Sequence, residues 1–309
     1  MSTDRPKIIL DCDPGLDDAM AILVAVQHTD LLGITSVSGN APLSATTRNA
    51  LLVSQIADTD VEVHAGADRP LIIEPKHAAH VHGEGGLNGP TVPPLHRSPT
   101  SNDAVQFIVD TVRATDDVWL VPIGPLTNIA LAFRQAPDIV AKVAGISLMG
   151  GSTGGGNVQP VAEFNIWADP HAAQIVFGSG AERIVMAGLN LTHQYTVDRD
   201  LAVRLAGIGT AVGTFAGEVI EACVEFSERM RGASTSPLHD PCAVLAVTHP
   251  QHFGSVKRHV DVSVSDITAG MTVVDERGYD DANANVEVLY EVDRDATIEV
   301  FVESVAAFS

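Results

Sequence analysis

The sequence predicts an α/β fold: a single domain over residues 1–309 with a mostly parallel central sheet and helices on both faces, Rossmann-like in plan. Three observations predict it. Near-continuous apolar runs such as residues 8–10, 118–123 and 143–149 read as strands buried on both sides. Amphipathic helical stretches alternate with them through most of the chain. The unusual polar residues cluster just after these runs, where parallel sheets carry their sites.

Taken in order, Ile8, Ile9 and Leu10 form the first strand, and Pro14-Gly15 breaks it. From Leu16 the spacing Leu16, Ala19, Met20, Leu23 is helical. Residues 31–38 read as a second strand, 44–57 as a helix through Leu51, Leu52 and Ile56, and 61–65 as a short strand. Residues 66–100 hold most of the local Pro, Gly and His, including HAAHVHGEGGLNGP. They read as one long loop, of a length that usually carries function. Order returns with a helix at 103–113, a strand at 118–123 and a helix at 125–134. The strand 143–149 runs into GGSTGGGN, residues 150–157. Asp169-Pro170 caps the helix containing Ile175 and Val176, with 183–186 a strand after it. A longer helix covers 210–231, Asp240-Pro241 opens another, 260–292 is β-rich, and 295–308 closes the chain as a helix.

The stretch ILDCDPGLDDAM puts Asp11, Asp13, Asp17 and Asp18 within eight positions. Strand alternation sends Asp11 and Asp13 to the same side. Asp17 and Asp18 fall in the first helical turn, where backbone N–H groups favour negative charge. Two carboxylates about 4 Å apart repel by roughly 4 kcal/mol at an effective dielectric near 20. One helix dipole does not offset several such pairs, so a cation is the expected remedy, and all-oxygen ligands suit a hard ion, Ca²⁺ or Mg²⁺. A solvated acidic cap is the plain alternative.

Composition narrows the partners. With 39 acids against 18 Lys and Arg the formal charge is −21, and no basic block exists to hold a phosphate backbone, so nucleic acid is not an expected partner. A phosphorylated substrate is disfavoured as well, for want of an Arg cluster or P-loop. No apolar run approaches the roughly 20 residues that span a bilayer, and MSTDRPK leads into a strand without a signal-peptide core. No membrane partner and a cytoplasmic location are expected. Cys12, Cys223 and Cys242 are odd in number and form no CxxC pair, which argues against a disulfide framework and a zinc knuckle; they read as small buried fillers.

DCDPGLDD at 11–18, VSGN at 37–40, IGPLTNIA at 123–130, MGG at 149–151, EFNIWADP at 163–170 and HDP at 239–241 occur in the order found in one family. Over about residues 7 to 292 the chain resembles the inosine–uridine-type nucleoside hydrolases. The resemblance implies their fold and Ca²⁺-dependent hydrolysis of the N-glycosidic bond of a ribonucleoside, in nucleoside salvage, by a homo-oligomer (a dimer or tetramer). It makes Asp13 both metal ligand and general base, with Asp18, Asp240 and the backbone carbonyl of Ile123 as further ligands. It assigns Asp17 to a ribose hydroxyl, and Asn40, Met149, Glu163, Phe164 and Asn165 to the substrate. It makes His239 the histidine that protonates the leaving base and His82 one that lines the base pocket. The chemistry agrees: an oxocarbenium-like ribosyl cation calls for carboxylates, Ca²⁺ acidifies water too weakly to dispense with a base, and a leaving base needs a proton or strong hydrogen bonds. Two departures stand out. ACVEFSERMRGASTSPLHD lacks the tyrosines many members place near the base, offering Phe226, Arg229 and Met230, and GYDDANANV replaces the usual Gly-Arg-Pro-Pro-Asn stretch.

Two other readings compete. Asp11-Cys12-Asp13 after a strand resembles the nucleophile motif of Mg²⁺-dependent haloacid-dehalogenase-type phosphatases, yet Gly15 stands where Thr or Val belongs, and Asp17-Asp18 goes unexplained. A non-catalytic nucleoside-binding protein is the third, although every expected acid and His239 are present.

Overall fold

The computed structural model describes residues 5–278 and 283–308. The order is β1 (Lys7–Cys12), α1 (Leu16–His28), β2 (Asp30–Ser36), α2 (Leu43–Ile56), β3 (Val63–Ala65), α3 (Ala79–His82), α4 (Ala104–Ala114), β4 (Val118–Pro122) and α5 (Thr127–Gln135). Next come β5 (Gly145–Met149), α6 (Phe164–Ala168), α7 (Pro170–Phe177), β6 (Ile184–Ala187), α8 (Leu189–Thr192), β7 (Thr196–Val197), α9 (Arg199–Ala206) and α10 (Ala211–Arg231). The chain ends with β8 (Ser236–Pro237), α11 (Pro241–Thr248), β9 (Phe253–Arg258), β10 (Val260–Val262), β11 (Thr272–Val274), β12 (Val286–Val292) and α12 (Arg294–Ala306).

Eight strands form one sheet in the order β3-β2-β1-β4-β5-β6-β12-β9, parallel throughout except for β9, which runs antiparallel to β12 at the edge. Alternation along β1 divides the core. Ile8, Leu10 and Cys12 belong to one buried cluster, with residues of α1, α2, α10, α11 and α12. Ile9 belongs to the other, with residues of α4, α5 and α7. Ile8, Ile9 and Leu10 are wholly buried, each contributing about 1.5–3 kcal/mol by leaving water. The apolar runs of the sequence are thus strands covered on both faces.

The strand order reverses between β1 and β4, so the chain leaves the carboxyl ends of these neighbours in opposite directions and opens a crevice there. The DCDPGLDD stretch follows β1 and IGPLTNIA follows β4, so both motifs meet at that crevice.

Some expectations shift. Pro125 and Leu126 stay in the turn before α5, because Pro125 removes a donor and Leu126 is the N-cap. Residues 66–100 are mostly loop but include α3, which carries His82. The tail is less β-rich than expected: β9 starts earlier, at Phe253, and between β10 and β12 the described residues are mostly irregular, with β10 and β11 forming a small separate ribbon. The divergent GYDDANANV stretch lies partly outside the described residues. Among the described residues no helix is long and apolar enough to cross a membrane, and all three cysteines are buried and free.

Candidate active site

Asp11, Asp13 and Asp18 are completely buried and Asp240 nearly so, which excludes a solvated acidic cap. Asp18 reaches back from the first turn of α1 to accept from the backbone N–H of Gly15 (2.9 Å) and Asp13 (3.1 Å), closing the turn on itself. Asn40, after β2, ties the pair together. Its backbone N–H donates to Asp13 Oδ2 (2.6 Å), while its side-chain amide donates to Asp13 O and Asp18 Oδ2 (3.2 Å each). A Cβ at Gly39 or Gly124 would clash with the Asp13 carboxylate, so both glycines let backbone close around it. Asp240 arrives from the N-cap of α11, which packs against α1.

Carboxylate oxygens of Asp17, Asp18 and Asp240 lie within 4.8 Å of one another. Burial first, then mutual repulsion, drives Asp13, Asp18 and Asp240 toward protonation: Asp18 is pushed up to about 7, Asp13 and Asp240 well above the carboxylate range. Asp13 Oδ1 is buried without a hydrogen-bond partner. Buried, crowded, all-oxygen donors with an orphaned lone pair fit a hard divalent cation, whose charge would reverse those shifts. Asp11 stands apart. It lies on the opposite face of β1 from Cys12 and accepts from Thr35 Oγ1 (2.6 Å) and Asn128 Nδ2 (2.7 Å), holding β1, β2 and α5 in place.

Glu163, the N-cap of α6, forms a second anchored acid, accepting from the backbone N–H of Gly151, Asn165 and Ile166. Burial still pushes it up to about 7. Asn165 Nδ2 donates to Ile123 O (2.9 Å) and Met149 O (3.1 Å), joining the ends of β4 and β5. The far end of the crevice is built differently. His82 Nδ1 accepts from Leu16 N–H (3.2 Å). The His239 ring pairs its Nδ1 with Thr192 Oγ1 at 2.7 Å and meets His193 edge-on, centroids 5.8 Å apart. Burial, followed by His193, Arg231 and His82, pushes His239 down to about 4 against the pull of Asp17. It is a neutral imidazole near pH 7. A Thr192 hydroxyl that donates to Nδ1 leaves the ring proton on Nε2.

One cavity of about 450 Å³, within the usual range for small-molecule sites, is lined by Asp17, Asn40, His82, Ile123, Met149, Glu163, Phe164, Asn165, His239 and Asp240. The structure thus brings ten of the twelve residues singled out in the sequence to one surface. Asp13 and Asp18 lie directly behind it, bonded to Asn40. Asp13 and Asp240 share one acidic cluster. The sequence reading passed over Thr192, His193 and Arg231. LTH, at 191–193, follows β6 as the acid motif follows β1, a positional signal that was present. Arg231 comes from α10, whose Cys223, Phe226, Met230 and Arg231 line the cavity at helical spacing.

Residues 8–299 match the family model described as inosine-uridine preferring nucleoside hydrolase. The chain is 42% identical over 296 residues to the pyrimidine-specific ribonucleoside hydrolase RihB of Escherichia coli (strain K12), covering 94% of each chain. The purine-preferring ribonucleoside hydrolase from Gardnerella vaginalis superposes with a TM-score of 0.92 at 31% identity, covering 98% of both chains. The plant nucleoside hydrolase PpNRh1 enzyme superposes at 0.90 and 30%, over 98% of this chain and 99% of that one.

Proposed function

The chain belongs to the inosine-uridine preferring nucleoside hydrolase family and is a hydrolase of N-glycosyl compounds, and from that premise we propose how its residues divide the work. The substrate is a ribonucleoside, and the products are ribose and the free base. Residues 1–309 act as one domain, within a homo-oligomer (dimer or tetramer) in the cytoplasm. Membership of this family leaves no place for the phosphatase reading.

Asp13, Asp18, Asp240 and the carbonyl of Ile123 would hold Ca²⁺, with Asp17 close enough to share that task. Bound there, the ion would supply fixed positive charge for polar oxygens of ribose and water. Asp13 is the general base. Its Oδ1 has no hydrogen-bond partner and is free to take a proton from water, a carboxylate in its charged form being what this step needs. Asp17 and Asn40 hold ribose hydroxyls from one side of the cavity. Glu163, Phe164, Asn165 and Met149 do so from the other, and the buried carboxylates favour positive charge at C1′ as the glycosidic bond lengthens.

His239 serves the leaving base. Held neutral, it acts through Nε2–H as a hydrogen-bond donor to the base, and Thr192 orients it. His82 lines the same end. Without tyrosines on α10, the pocket suits pyrimidine nucleosides or inosine better than adenosine, in keeping with the pyrimidine specificity of the 42%-identical relative. The observation that carries this reading is one cavity lined both by the acids Asp17, Glu163 and Asp240 and by His82 and His239.

Reducing sugar released from uridine, cytidine, inosine and adenosine is the direct test. Release from uridine or inosine, lost on chelation and restored by Ca²⁺, is expected. A protein that binds these nucleosides without releasing ribose would instead be the non-catalytic binder.

A further inference from the structure

The His-rich end of the cavity contains a charge that the roles above leave unused. Arg231 ends α10 and lines the cavity beside His239 and His193. Its positive field reaches both of those rings. In a chain with 39 acids and 18 Lys and Arg, a helix arginine ordinarily finds a carboxylate. Glu228, one turn back, is where Arg231 would look. Glu228 is instead paired with Arg199, which also takes Glu221, and Arg229 lies over the Phe226 ring at 5.6 Å from its centroid. Among the described residues the Arg231 side chain makes no hydrogen bond, ion pair or ring contact.

We propose, resting on the ribohydrolase reading above, that Arg231 is a further catalytic residue: its guanidinium binds the base as it leaves and balances the negative charge forming there. As the C1′–N bond breaks, its electron pair goes to the base nitrogen. Water oxygen forms the new bond to C1′ and gives its proton to Asp13. The base, anionic for as long as it lacks a proton, is held by Arg231 and the Nε2–H of His239 until it takes one up from water. Five N–H donors in a planar fork suit the carbonyl oxygens of uracil or hypoxanthine, where that charge delocalises. An Arg does this without changing protonation state, and its position at the cavity mouth lets the base depart past it. The ordinary alternative is a solvated arginine that merely complements the helix dipole at the end of α10.

The test compares uridine and inosine with p-nitrophenyl β-ribofuranoside, whose phenolate leaves without help, in the native enzyme, R231Q and R231K. One preorganised donor in a dry site is worth roughly 10²–10³-fold, and partial solvation at the mouth reduces that. R231Q is therefore expected to lower kcat for uridine and inosine about 10- to 30-fold relative to p-nitrophenyl riboside, with Tm unchanged, and R231K to recover part of the loss. A ratio within about twofold of native, or a loss confined to KM, would overturn the assignment. Native enzyme that cleaves neither nucleoside nor p-nitrophenyl riboside would sink the ribohydrolase reading itself, and the role of Arg231 with it.

Discussion

The two ends of the cavity are made in different ways. The acidic end is centred on residues close in sequence, in the turn from β1 to α1, and is fixed largely by backbone: Asp18 on Gly15 and Asp13 N–H, Asn40 N–H on Asp13, Glu163 on three N–H groups. The histidine end is gathered from α3, α8, α10 and the turn before α11, and is held by side chains: Thr192 to His239, ring against ring. One end is almost fully buried, whereas at the other Met230 is 58% exposed. A rigid, dry end suits the part common to every nucleoside, the ribose. An open end assembled from separate elements can change its base preference without disturbing the rest.

If that contrast is right, the sugar should dominate recognition. A site built around a hydroxyl rejects its absence on the order of 10⁴-fold, because buried polar groups are left unpaired. Uridine should therefore exceed 2′-deoxyuridine in kcat/KM by about that factor. A ratio below about tenfold would mean the acidic end is not where ribose is read.

Next in size is the loss of the base. Asp13→Asn should lower kcat about 10³-fold, the middle of the range for general base catalysis, since an amide takes no proton from water. Asp17→Asn should act mainly on KM and keep much of the affinity for Ca²⁺, measured by calorimetry. Equal loss of Ca²⁺ in both variants would break this division of labour. Ca²⁺ at about a hundred times its dissociation constant should also raise unfolding stability by roughly 2.7 kcal/mol in the native protein, and far less in Asp13→Asn.

At the other end, His239→Ala should cost about 10²-fold on uridine and inosine, the lower limit for a group acting on the leaving base. If both substrates stay within threefold of native, His239 is only packing beside Asp240.

The same contrast explains what the sequence could disclose. The acid cluster was legible because Asp13, Asp17 and Asp18 fall within six positions and their repulsion demands a partner. Asp11 was the exception. Strand alternation predicts that it lies beside Asp13, but β1 ends at Cys12, so that pairing does not extend to Asp13, and Thr35 and Asn128 take up the Asp11 carboxylate, making it a bracket for the sheet. The parallel sheet was legible from apolar runs buried on both faces. β9 was not, because FGSVKR is a half-exposed edge strand whose partner, β12, lies about thirty residues further on. Thr192 and His193 carry only the positional signal of following a buried strand, and Arg231 carries none, since a helix-terminal arginine looks ordinary until the fold places it beside them.

The smallest effect probes the joint between fold and chemistry at the histidine end. Thr192 is wholly buried in α8 and spends its hydroxyl on His239 Nδ1. Replacing it with Val keeps the shape and removes the donor. Nδ1 then competes for the ring proton, so part of the population presents a bare Nε2 to the base. A hydrogen bond of this kind is worth about 1 kcal/mol net, or roughly fivefold. Thr192→Val should thus lower kcat for uridine about fivefold with little change in KM, and change p-nitrophenyl riboside hydrolysis less. A purely structural role predicts something else: a fall in Tm and an equal loss on both substrates. If that is the outcome, Thr192 supports the packing of α8, and His239 takes its orientation from His193 and the turn before α11 instead.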